Sequence, residues 1–145
     1  MLGLKTPCWI LLLLPYLSWS QEVISWQPLQ GLALAETASI EDWPTATFPL
    51  SAKDLAGKQV QIDGYLIPLD QTDFLFVLSQ FPFSACFFCD AAGPETVIEL
   101  WIRPQTLKHY RMDQRVRVQG TLRLNPDNPA HLYYILEKAE IERKK

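Results

Sequence analysis

Residues 58–68 read KQVQIDGYLIP, and this stretch decides the fold. Val60 and Ile62 alternate with polar residues up to Gly64, which is the period of a half-buried β-strand. The apolar series continues beyond the glycine, and a glycine at such a break often marks a bulge or a sharp coil in a bent strand. The stretch therefore predicts a strand that curls at Gly64.

A second stretch repeats this design. Residues 114–124 read QRVRVQGTLRL, and Val116 to Leu122 matches Val60 to Leu66 in the order apolar, polar, apolar, polar, glycine, any residue, leucine. The match predicts two strands of the same kind, each curling at its glycine.

Three further strands are expected, over 74–78, 96–102 and 132–141. Residues 104–110 are compatible with a short helical turn between the third and fourth strands. Together these elements predict a mainly β fold, a small five-stranded OB-like barrel. A different small barrel or an open five-stranded sheet would use the same strands in another order.

The beginning of the chain has the pattern of a secretory signal peptide. Within residues 1–20, Lys5 precedes an apolar run at 9–14, and a Ser-Trp-Ser ending predicts cleavage before Gln21. The run is shorter than the roughly 20 residues of a membrane span, and Pro15 interrupts it. We expect a periplasmic or otherwise exported protein with no membrane span after cleavage; a retained anchor is the alternative.

The rest of the chain divides into two parts. Residues 21–50 are poorly periodic and predict an extended N-terminal arm, whereas residues 51–145 hold the barrel domain. The domain opens with a short helical turn, for which Ser51 resembles an N-cap and Gly57 a stop. The 16 acidic residues outnumber the 13 basic ones, which argues against nucleic acid as a partner.

The long connection between the second and third strands carries the most distinctive residues. Residues 80–94 read QFPFSACFFCDAAGP, with Cys86 and Cys89 two residues apart. Cys8 belongs to the signal peptide, so these are the two cysteines of the exported chain. At this spacing the two sulfur atoms can bond to each other or to one metal ion.

Three kinds of chemistry are open to the cysteine pair. A zinc site needs two more ligands, for which Glu95, His109 and His131 are the candidates. A redox-active dithiol is the second, although the helix that usually follows such a motif is missing from the pattern. A plain disulfide that shapes the loop is the third, because an exported chain meets an oxidising compartment.

The aromatic residues around the cysteines have two interpretations. Phe81, Phe83, Phe87 and Phe88 either close one end of the barrel or, in part, form a docking patch for another protein. Ser84 has no histidine near it in the sequence, and no glycine-rich phosphate loop is present. The pattern thus favours a binding role over catalysis.

Residues 55–60, 62–69, 81–89 and 93–95 together resemble a family of exported bacterial proteins of unknown function, which carries this Cys-x-x-Cys block as its signature. The resemblance covers roughly 53–141. Members of that family often accompany ABC-type export or metal-uptake components, some of them zinc-regulated. The resemblance implies an accessory to a membrane transporter or a zinc homeostasis system, with zinc as the candidate cofactor and an envelope protein as the candidate partner.

Overall fold

The structure, a computed structural model, describes residues 22–39, 41–70, 75–83, 92–103, 107 and 109–142. Within these ranges it contains eight β-strands and one α-helix. In chain order they are β1 Glu22–Ile24, β2 Ala33–Leu34, β3 Ala46–Thr47, α1 Leu50–Leu55, β4 Gln59–Asp70, β5 Leu75–Ser79, β6 Val97–Ile102, β7 Gln114–Leu124 and β8 Tyr134–Ile141. In the part of the chain so described, no helix has the length and apolar character needed to cross a membrane.

Five of the strands close into a barrel. β4, β5, β6, β8 and β7 neighbour one another in that order, and β7 pairs again with β4. The long β4 makes closure possible, because residues 59–66 pair with β7 and residues 65–70 pair with β5. All of these pairings are antiparallel except the parallel pairing of β6 with β8. The predicted five-stranded OB-like barrel is confirmed.

The two glycine-containing strands are direct neighbours. In the β4–β7 ladder Val60 lies opposite Gly120, and Gly64 lies opposite Val116. The two copies of the repeated pattern are therefore antiparallel neighbours. The glycine of each strand lies beside the first valine of the other strand.

Both glycines lie where another strand approaches closely. A Cβ atom at Gly64 would come within 2.7 Å of the backbone oxygen of Ser79, and one at Gly120 would come within 2.9 Å of the backbone oxygen of Glu137. A side chain at either position would push neighbouring strands apart. The missing Cβ is what allows the sheet to coil tightly enough to close.

The barrel interior is filled by aliphatic side chains that alternate along the strands. Those with at most 2% of their surface exposed include Val60, Ile62, Leu66, Leu78, Ile98, Val118, Leu122 and Leu136. A second row is buried on the opposite face of the sheet, where Ile67, Val77 and Ile135 are each at most 1% exposed. Glu99 lies between Val77 and Ile135 in this row, so a carboxylate interrupts a buried apolar surface.

The N-terminal arm contributes to both the sheet and the core. β1 pairs in parallel with the beginning of β4. Leu29 is fully buried, and its carbonyl accepts a hydrogen bond of 2.8 Å from the hydroxyl of Tyr134. The ring of Phe48 packs edge-on against the same tyrosine, with ring centroids 5.3 Å apart. These contacts fix the arm on one side of the barrel.

The two short helical turns agree only partly with expectation. The helix α1 begins at Leu50, after Pro49, and the hydroxyl of Ser51 donates to the carbonyl of Pro28 at 2.7 Å instead of capping the helix. The turn expected over 104–110 lies mainly outside the described residues. Within them, the N–H of Tyr110 donates to the carbonyl of Leu107 at 3.0 Å, as in a 3-10 turn.

Candidate functional site

Four of the predicted site residues, Cys86, Phe87, Phe88 and Cys89, lie outside the described residues, as does the signal peptide over 1–20. The zinc site and the disulfide expected at the cysteine pair therefore stay predictions. The residues on both sides of the segment are described, and they define where the loop begins and ends.

The barrel holds the loop at its base. The β5–β6 ladder extends one step beyond β5, because the N–H of Gln80 donates to the carbonyl of Thr96 at 2.9 Å. Further along, the N–H of Phe83 donates to Oδ1 of Asp113 at 2.6 Å. The N–H of Asp113 in turn donates to the carbonyl of Leu66 in β4 at 3.0 Å. The chain thus enters the Cys-x-x-Cys segment from a fixed position beside the beginning of β7.

Exposed apolar side chains accompany this base. Phe81 and Phe83 are 41% and 38% exposed, so Phe83 is a surface residue as a docking interpretation requires. Met112, which directly precedes Asp113, is also exposed. Apolar surface on a backbone held by hydrogen bonds is well suited to contact another protein.

The three candidate zinc ligands that the structure describes do not come together. Glu95 lies in a 3-10 turn with its carboxylate folded back on Gly93, whereas His109 is exposed in the connection before β7. His131 is bonded to Glu99. Among the described residues, no three His, Cys, Asp or Glu side chains are grouped closely enough to hold a metal ion.

The carboxylate of Glu95 also affects the pKa of a tyrosine in the barrel core. Burial raises the pKa of Tyr134 far above its ordinary value, and the negative charge of Glu95 adds to the effect. Burial likewise raises the pKa of Tyr133. Both phenols are therefore held in their neutral form.

The buried carboxylate of Glu99 organises a second polar cluster that was not predicted. It is 4% exposed and accepts hydrogen bonds from the indole N–H of Trp101 at 2.8 Å and from the backbone N–H of Leu132 at 2.9 Å. Nδ1 of His131 lies 2.9 Å from Oε1 of the same carboxylate. Three partners satisfy a charge whose burial would otherwise be strongly unfavourable.

The loop that presents His131 is itself held rigidly. The side-chain amide of Asn125 donates to the carbonyls of Asn128 at 2.8 Å and His131 at 3.0 Å. The amide oxygen of Asn125 accepts from the N–H of Asn128 at 3.1 Å. Because an ionised carboxylate only accepts hydrogen bonds, Nδ1 of His131 is the donor in its contact with Glu99.

The ring of Trp101 is flanked by two nitrogen-rich groups. The guanidinium of Arg123 lies 5.3 Å from the ring centroid, and the imidazole of His131 has its own centroid 5.3 Å away. Arg123 is held in turn by Glu137, with Nη1 and Oε1 3.0 Å apart. The cluster is a rigid polar and aromatic surface on the outside of β6, β7 and β8. One pattern in the sequence indicates this cluster. Glu99 and Trp101 are two residues apart, so they share a face of a strand that is otherwise apolar.

Comparison of the chain with family models and with curated proteins finds no match. The resemblance to an exported bacterial family therefore stays a prediction, and the site rests on its geometry.

Proposed function

We propose that the chain is an exported, non-enzymatic binding module, an accessory to a membrane transporter or a zinc homeostasis system, that acts through the loop carrying Cys86 and Cys89. The observation that supports this most is the exposure of Phe83 on a backbone held by Asp113. A partner that covers this residue gains apolar contact without having to order the chain that carries it.

Two physical arguments favour docking at this surface. Aromatic side chains dominate the energetics of protein interfaces, because they bury a large area at a small loss of conformational freedom. A surface whose backbone is already held in place also loses less entropy on binding than a mobile segment. Phe81 and Phe83 meet both conditions at the base of the loop.

In this proposal zinc binds at the cysteine pair. Two thiolates supply half of a tetrahedral site, and a metal at that position would join the two cysteines next to the exposed phenylalanines. Of the candidate ligands, His109 lies in the connection that ends at Asp113, which bonds to Phe83 at the base of the loop. His131 is already oriented by Glu99, and Glu95 is folded back on Gly93.

Site-specific photo-crosslinking in the native host tests the docking surface. A photoreactive residue replaces Phe83 or, as a matched control, Leu50, which is an exposed apolar residue on α1. We expect position 83 to give a discrete crosslink to an integral membrane protein, and we expect Phe81→Ser to weaken it. Position 50 should give no such product. Equal products from both positions, or none from position 83, would overturn the proposed docking surface.

A further inference from the structure

A groove of about 550 Å³ lies between the N-terminal arm and the barrel. It opens where one edge of β4 lacks a strand neighbour. On that edge β1 pairs with β4 as far as Ile62, and β5 begins to pair at Tyr65. Asp63 and Gly64 lie in the gap and line the groove. Its volume falls within the range of small-molecule sites, which is about 300–1,000 Å³.

The groove is lined by both apolar and polar residues, and its aromatic wall is held in place. Ile24 and Trp26 line it from the arm, and Tyr65 lines it from β4. The indole N–H of Trp26 donates to the carbonyl of Asp63 at 2.7 Å, which fixes the ring and satisfies the exposed edge of β4. A ligand would therefore meet a preformed site and would not have to order it.

One positive charge at the groove, that of Arg115, forms no ion pair with another described residue. Arg115 lies opposite Tyr65 in the β4–β7 ladder and lines the groove. The ion pairs found among the described residues involve Arg117, Arg123 and His131, and none of them involves Arg115. The other charged residue of the lining, Asp63, is bonded to Arg117, with Nε–Oδ1 and Nη2–Oδ2 distances of 2.5 and 3.0 Å.

A neutral donor lies on the same lining. Gln80 lines the groove, and its amide oxygen accepts a hydrogen bond from the side chain of Gln30 at 3.4 Å. A guanidinium and an amide NH₂ together match the two oxygen atoms of a carboxylate.

We propose that this groove binds a small organic carboxylate, with its charged group at Arg115 and Gln80 and its apolar or aromatic body against Trp26 and Tyr65. The site is separate from the Cys86 and Cys89 loop and uses neither thiol. Its ligand is a free small molecule, because the carbonyl of Asp63 at the open edge is already bonded and offers no ladder position to a peptide strand.

Titration of the ¹⁵N-labelled chain with phenylacetate, followed by NMR, tests the proposal. The indole signal of Trp26, assigned with Trp26→Phe, and the amide signals of Gly64 and Gln80 should shift. Phenylacetamide, which has the same body without the charge, should bind at least about tenfold more weakly, as the loss of a charge-assisted hydrogen bond implies. Acetate, which lacks the aromatic body, should also bind more weakly than phenylacetate.

Variants distinguish specific binding in the groove from nonspecific binding of anions to the surface. Arg115→Gln should weaken phenylacetate binding about tenfold and leave phenylacetamide unchanged, whereas the exposed Arg111→Gln should change neither. Cys86→Ser/Cys89→Ser should bind phenylacetate as the wild type does. The test of the groove therefore does not depend on whether the cysteine loop binds zinc or a partner. The absence of shifts at these positions, or equal weakening by Arg111→Gln and Arg115→Gln, would overturn the proposal.

Discussion

Gly64 of β4 lies directly opposite Val116 of β7, and the same ladder places Val60 opposite Gly120. The repeated sequence pattern is thus a pair of antiparallel neighbours, each of which coils at the point where it has no Cβ atom. At Gly64 the obstacle to a side chain is the backbone oxygen of Ser79, which cannot turn away as a flexible side chain could.

Gly64→Ala should therefore lower the free energy of unfolding by about 1–3 kcal/mol, the usual range for overpacking a closed interior. Urea denaturation measures the change. The matched control is Thr121→Ala, a partly buried position of β7 whose hydroxyl donates a long hydrogen bond of 3.4 Å to the side chain of Gln59. An effect of Gly64→Ala no larger than that of the control would contradict the role assigned to the glycine.

The hydrogen bonds of Glu99 lead to a second expectation. In Glu99→Gln the side-chain shape is kept, but one carboxylate oxygen becomes an NH₂ group that faces a donor, either Leu132 N–H or the Trp101 and His131 pair. We expect the free energy of unfolding to fall by about 1–3 kcal/mol, the penalty of an unsatisfied buried group.

Thermal and urea unfolding measure this loss, with Glu36→Gln at an exposed position of the arm as the control for removal of a charge. The indole signal of Trp101 should also move in Glu99→Gln and stay unchanged in Glu36→Gln. Equal stability of the two variants would show that the cluster makes no contribution to folding.

The buried phenol of Tyr134 makes stability depend on alkaline pH. An unfolded tyrosine has a pKa of about 10, and in the folded chain the pKa of Tyr134 is raised by burial and by Glu95. Above pH 10 the unfolded state therefore releases a proton that the folded state keeps, and the free energy of unfolding falls as pH rises. Below that range this group makes no contribution to pH dependence.

Tyr134→Phe should remove part of this alkaline slope. At neutral pH it should cost about 1 kcal/mol, because the hydrogen bond to the carbonyl of Leu29 is lost. Tyr133, whose pKa is also raised, should supply the slope that remains. Urea denaturation between pH 8 and pH 11 measures both effects, and an unchanged slope in Tyr134→Phe would contradict the explanation.

The sequence predicted the barrel because its signals are local. The strand expected over 58–68 is β4 at Gln59–Asp70, and the one expected over 132–141 is β8 at Tyr134–Ile141. Alternation of apolar and polar residues and a glycine at a break are visible within a few positions. They predict the strands correctly because the barrel needs one buried face on each strand and a coil at each glycine.

The same local signals do not predict contacts between residues that are far apart in the sequence. Glu99 falls within the strand expected over 96–102 and has no local signal of its role, since one of its donors belongs to Leu132, which lies 33 positions away. Ser51 resembled an N-cap, yet its hydroxyl bonds to the carbonyl of Pro28 once the arm packs beside α1. The groove depends on the gap between β1 and β5, and the parallel pairing of β1 with β4 has no sequence signature.

Zinc titration of the reduced chain tests the central claim, that the loop carrying Cys86 and Cys89 is the functional part of the molecule. The measurement is made by competition with a chromophoric chelator on a Cys8→Ser background, so that the remaining thiols are those of the loop. We expect one equivalent of zinc to bind, weaker binding in His109→Ala, unchanged binding in His131→Ala, and no binding in Cys86→Ser/Cys89→Ser. Equal, weak uptake by the parent chain and the double serine variant would contradict the claim.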